Sequence, residues 1–185
     1  MRYLDALREL GIPVNWGTLL VGFVGVGIPN PVITPSEVLE QAYNMAAPRG
    51  AEAAFQRLVS SSTLDRDEIV ESLKDLAAVE HRDAGFESRK WRLALLLERL
   101  ETIPNDPIYG PLALTDFWSE FDFPPDSPHT IQGRGNSIHP RDYYSTSTLA
   151  SLITAHETWI AHERRQLRAI GDTPATGTFE TQDGS

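Results

Sequence analysis

Apolar residues recur every three or four positions along most of the chain, the period of amphipathic helices, and strand-like alternation is scarce. The opening segment MRYLDALREL carries charges at Arg2, Asp5, Arg8 and Glu9 and reads as a surface helix. Asn15 can cap a helix starting at Trp16, in which Leu19, Leu20 and Phe23 share a face until Gly25 and Gly27 end it. In TPSEVLEQAYNMA, Thr34 is the cap, Pro35 takes the first helical position and Glu37 completes a capping box. Val38, Leu39, Ala42, Tyr43 and Ala46 form its expected buried stripe, and Pro48 with Gly50 stops it.

AEAAFQRLVS reads as a shorter helix. In DRDEIVESLKDLAAVE, Asp65 precedes Glu68 by three, and Ile69, Leu73, Leu76 and Val79 trace one face. SRKWRLALLLERLETI, with Trp91, Leu93, Leu96, Leu97 and Leu100 and a stop at Pro104, is the candidate central helix. A helix over residues 112–121 follows; Pro107 could begin it, although Gly110 and Pro111 weaken its first turn. Residues 122–146 then hold four prolines and two glycines and read as a long connection with room for one helical turn. The last helix is expected from Thr146 or Ser147 to about Ile170, with Leu149, Leu152, Ile153, His156, Ile160 and Leu167 inward. The pattern predicts an all-α fold: one compact bundle of about six or seven helices over residues 1–171, with a long loop before the last helix. Residues 172–185 have the small polar composition of a free tail.

Charge narrows the partners. With 26 acidic and 16 basic residues the net charge is −10, which repels nucleic acid and anionic membranes and suits a basic protein. The absence of cysteine excludes a catalytic thiol and a disulfide framework and is compatible with the cytoplasm. The most apolar run, Trp16 to Ile28, is too short to cross a bilayer. The N-terminus lacks the apolar core of a secretory signal.

Candidate chemistry is sparse. HETWIAH, His156 to His162, imitates the zinc-protease motif, but an interval of six turns the two imidazoles about 120° apart and separates them by about 9 Å along a helix. They cannot close on one zinc, so no metal or cofactor is expected. His81, His129, His139, His156 and His162 fall on different elements; His156, among Leu152, Ile153 and Trp159, reads as a hydrogen-bonded core residue, and His162 as solvated. GFVGVG has the wrong glycine order and no preceding strand for a nucleotide loop. The SSST serines at 60–63 lack nucleophile-elbow glycines. Trp91 and Trp118 read as core.

The acidic residues are distributed less evenly. No base lies between Arg99 and Arg134, a window holding Glu101, Asp106, Asp116, Glu120, Asp122 and Asp126. Tyr109, Phe117, Trp118, Phe121 and Phe123 interleave with them, and Tyr143 and Tyr144 follow. Asp116, Glu120, Asp122 and Asp126, with Phe121, Tyr143 and Tyr144, are the candidate partner-binding residues, mixing charges and aromatic anchors as interfaces do. Two alternatives compete: a hydrolase using His156, Glu157 and His139 near the 122–146 loop, and a structural adaptor.

Five segments carry a resemblance: VNWGTLLVGF, ITPSEVLEQAYNMA, KWRLALLLERLE, LALTDFWSEFDFPPDSPHTI and LASLITAHETWIAHE. Together they resemble a small bacterial all-helical family of uncharacterised proteins, some encoded beside polymorphic or contact-dependent toxins and similar to their immunity proteins. The resemblance implies a helical fold and a toxin domain as cytoplasmic partner, and it brings no catalytic residue set. The polar loop from Gly133 to Pro140 departs from it.

Overall fold

The computed structural model describes residues 2–62, 65–80 and 83–171. The expected tail and His81 lie outside the described residues. Those residues form nine helices in the order α1 (Arg2–Glu9), α2 (Trp16–Val24), α3 (Pro35–Asn44), α4 (Glu52–Ser60), α5 (Arg66–Val79), α6 (Ala84–Thr102), α7 (Tyr109–Ser119), α8 (Pro140–Tyr143) and α9 (Thr146–Gly171), and none of them is in a strand. The all-α reading holds, with nine helices where about six or seven were expected; α8, a single turn, accounts for one of the extra elements. Among the described residues no helix is long and apolar enough to cross a membrane.

Local chemistry sets the helix starts. Asn15 Oδ1 accepts from Thr18 N at 2.8 Å while Asn15 N donates back to the Thr18 hydroxyl at 3.2 Å, closing the capping box of α2. Thr34 and Glu37 make the same reciprocal pair at α3. Asp65 caps α5 and Asp83 caps α6. The start of α7 is earlier than expected because Asp106 Oδ1 accepts from the amides of Ile108 and Tyr109, both at 2.8 Å. Pro111 then sits in the first turn, where no amide is needed.

Helix α6 is the central element, packing against α1, α2, α7 and α9. Trp91 joins a core built from α2, α3, α4 and α5, whereas Leu93, Ala94 and Leu96 join a second core with α1, α7 and α9. Gly22 lets α2 and α6 meet: a Cβ there would lie 2.3 Å from Trp91 Cζ2, and the indole N–H donates to Thr18 O at 2.8 Å. The glycines of the apolar run thus serve packing and the C-cap, where Gly25 is left-handed with φ 89°.

Helix α1 lies at the surface with Asp5, Arg8 and Glu9 exposed, while Leu4 and Leu7 are fully buried and join the two cores, and the Tyr3 hydroxyl reaches Glu98. One burial expectation is corrected. On α3 the buried stripe is Val38, Gln41 and Ala42, whereas Tyr43 is 72% exposed and Ala46 is exposed. One residue is about 100° of helix, enough to carry Tyr43 off the stripe.

A charged cluster is buried where α2 meets α6. Lys90 and Glu87, each 1% exposed, pair at 2.7 Å. Lys90 also donates to Pro13 O at 2.9 Å and to the Thr18 hydroxyl at 3.1 Å, while Glu87 accepts from Thr18 Oγ1 at 2.6 Å and Asn15 Nδ2 at 3.1 Å. Beside them Glu80 accepts from the amides of Trp16 and Gly17, an anion at the positive end of α2. Burial nonetheless raises the Glu80 carboxyl above its ordinary range, against the pull of those two amides.

Candidate functional site

Helix α7 lies in the middle of the acidic window, holding Asp116 within it and Glu120 at its C-cap. Its inner face, Gly110, Pro111, Leu114, Phe117 and Trp118, is buried against α6 and α9. At about 100° per residue, Ile108, Leu112, Asp116, Tyr109 and Glu120 fall together in the opposite sector of about 120°. Ile108 is 49%, Tyr109 65% and Leu112 39% exposed, and Asp116 and Glu120 are exposed as well. The outer face is therefore apolar at its start and acidic at its end.

The sequence-predicted partner residues divide. Asp116, Glu120 and Asp122 are exposed, as a binding face requires. Asp126 accepts from Arg92 Nη2 at 2.6 Å, so its charge is already paired. The proposed aromatic anchors are corrected: Tyr143 is buried, donating from its hydroxyl to Thr130 O at 2.7 Å, and Phe121 is half-buried against both main cores. Tyr144 is half-buried, edge-on to Tyr143 at 5.0 Å. Of the aromatics interleaved with the acids, Phe117 and Trp118 are buried and Tyr109 is the most exposed. Ile108 and Leu112 went unread as surface; their spacing out of phase with Leu114 and Trp118 was the available signal.

Beyond α7 the loop folds on itself. Trp118 O accepts from Phe121 N at 3.2 Å and Phe123 N at 3.0 Å, and both Asp122 (φ 54°) and Phe123 (φ 46°) are left-handed, a helix ending normally given to glycine. Arg134 covers the Phe123 ring at 4.8 Å. Asn136 ties the polar turn by donating to Ile131 O and Arg134 O and accepting from Gly133 N and Ile138 N.

Two clefts, of 360 and 560 Å³, share Arg89 and Arg92 on α6. Arg89 grips the buried Glu163 of α9 through Nε at 2.7 Å and Nη2 at 2.6 Å, and also donates to Gln166 Oε1. That bidentate bond outweighs burial and raises the Arg89 pKa further. Arg92 stacks over Trp118 and Trp159 and pairs with Asp126. Both guanidinium groups are thus committed to carboxylates of the same chain, and they brace α6 against α9 and the loop.

The residues of the hydrolase alternative are set apart by burial: His156 is buried, whereas His139 and Glu157 are exposed. His156 is a core residue, as its neighbours in sequence predict: its Nε2 accepts from Trp118 Nε1 at 2.8 Å and its Nδ1 donates to Leu152 O at 2.6 Å, which spends both ring nitrogens. His139 is exposed and caps α8, and Glu157 is exposed on α9. His162 is exposed beside Gln166, so the HETWIAH histidines point apart as their interval requires. Among the described residues no group of three His, Asp or Glu side chains could hold a metal ion.

His156 does meet His129, with ring centroids 5.7 Å apart. The Thr115 hydroxyl donates to Pro111 O, so it accepts from His129 Nε2 at 2.8 Å. Burial lowers both imidazoles, and the neighbouring His156 adds to the effect on His129, which falls from 6.5 to about 4. Between those values the unfolded chain binds the extra proton, so stability rises with pH through this window and is lost on acidification. Going from pH 7 to pH 4 is expected to cost about 2 to 3 kcal/mol through His129. Urea unfolding of the wild type and His129→Gln checks this; equal pH slopes in the two would refute it.

No curated protein and no solved structure matches the chain at a significant level. A bacterial family described as "Uncharacterized protein conserved in bacteria (DUF2247)" matches residues 4–164, which take in every helix from α2 to α8, most of α1 and α9, and the whole acidic face. By that match the chain belongs to the DUF2247 family of bacterial proteins.

Proposed function

We propose that this DUF2247 chain is a non-enzymatic protein-binding module that captures a basic partner, in the manner of a cytoplasmic immunity protein neutralising a cognate toxin domain. The observation that supports this reading is the exposed acidic run of Asp116, Glu120 and Asp122, with no base from Arg99 to Arg134 in the sequence. Carboxylates of one sign steer a cationic surface into encounter, and their effect is screened over about 8 Å at physiological ionic strength. Binding at such a face blocks a toxin by covering it and requires no catalytic residue here.

The test is association kinetics with the basic protein recovered by pull-down from the host. Asp116→Asn, Glu120→Gln and Asp122→Asn combined are expected to slow association about tenfold at low salt and flatten its salt dependence, with little change in folding. Asp126 stays untouched in this variant because its loss would strand Arg92, a stability effect unrelated to steering. An unchanged association rate and salt dependence would defeat the proposal and move attention to the arginine-rich end of α9. There Arg164 donates to Leu10 O, and Arg168 lies against Gly11.

A further inference from the structure

We infer that the outer face of α7 docks an amphipathic helix of the partner, with its apolar positions on Ile108, Tyr109 and Leu112 and its Lys or Arg side chains on Asp116 and Glu120. The inference deepens the basic-partner reading and rests on it. Its carrier is the order of the residues: apolar at the first turn, acidic two turns later, all in one sector of an exposed helix face.

The acids select the occupant. Two copies of this face would set Asp116 and Glu120 either against their equivalents, which like-charge repulsion opposes, or, antiparallel, against the apolar end of the other copy, where the carboxylates find no cation. The chain's own tail is no better, since residues 172–185 carry Asp172, Glu180 and Asp183 and no base. A nucleic acid is excluded by the same sign of charge. A peptide that binds by strand addition needs a sheet edge, and the described residues contain no strand. A helix with apolar anchors at i, i+3 or i+4 and bases one or two turns further meets both ends of the face, which runs about 16 Å from Tyr109 to Glu120. Tyr109 suits the anchor role, because a ring held on two torsions loses little freedom on burial and its hydroxyl can stay wet.

The probe is a labelled Leu/Lys peptide of about 18 residues with helical apolar spacing, set against a scramble of equal composition, by fluorescence anisotropy. The wild type is expected to bind the amphipathic peptide about tenfold more tightly than the scramble. Tyr109→Ser with Leu112→Ser should remove that preference while leaving the weak binding of the scramble unchanged; Tyr109→Ser alone, at the most exposed position, guards against misfolding. Hydrogen exchange with the amphipathic peptide bound should show added protection in 108–120. No preference in the wild type, an undiminished preference in the variants, or protection elsewhere each overturns the inference. If the pulled-down partner loses its salt dependence in the acidic variant but binds the Tyr109 variant undiminished, this docking mode falls and acidic capture stands. If the reverse holds, electrostatic steering falls and the docking face stands.

Discussion

Lys90→Met is expected to lower the unfolding free energy by about 3 to 5 kcal/mol. The methionine matches the volume of the lysine stem, so lost packing is minor. What remains is a Glu87 carboxylate that is 1% exposed, with its cation gone and water excluded. Thr18 and Asn15 still donate to it, but neutral donors cannot replace a full charge at 2.7 Å. The Pro13 carbonyl also loses its donor, which loosens the chain between α1 and α2. Chemical denaturation measures the loss. Lys90→Met with Glu87→Gln should be milder than Lys90→Met alone, because the amide can keep its neutral bonds without an unpaired charge. A single variant within about 1 kcal/mol of wild type would show that Glu87 finds a proton or water at little cost.

Gly22→Val comes second, with an expected cost of about 3 kcal/mol or more, and Gly22→Ala about 2 kcal/mol. The new Cβ would stand 2.3, 2.6 and 2.9 Å from three atoms of the Trp91 indole, which is fully buried and held by its bond to Thr18 O. Neither side can give way: α2 is flanked by α3, α5 and α6, and the ring has no room to turn. Trp91→Phe removes the clashing half of the indole. Thermal melts of Gly22→Ala in the Trp91→Phe background should therefore show a smaller loss than in the wild type. Simple additivity of the two would mean that α2 moves away as a unit.

The elements that were legible in the sequence are those whose cause is local. Thr34, Pro35 and Glu37 specify the start of α3 within four residues, and Asn15 and Asp65 cap through amides three positions away, whereas Asp83, which starts α6 a turn before Ser88, went unread. Trp91 and Trp118 were readable as core because leucines surround them at helical spacing. The buried Lys90 and Glu87 were not, because a charged pair three apart looks like a solvated face until the end of α2, some seventy residues earlier in the chain, is laid over it. The same holds for the candidate site. Exposure of Asp116 and Glu120 follows from the helical phase, but that of Asp122 depends on the left-handed turn after α7, and the burial of Tyr143 on the Thr130 carbonyl that the loop brings back to it. Asp126 lost its freedom to an arginine on α6, 34 positions away.

All four tryptophans are buried, and the two main cores share them evenly: Trp16 and Trp91 in one, Trp118 and Trp159 in the other. Their emission therefore senses both halves of the bundle at once, and a change confined to the half that holds α7 alters only part of it. Trp118 alone of the four donates to an imidazole, so its emission is the one tied directly to His156. The native chain can thus be followed optically through acidification with no label attached.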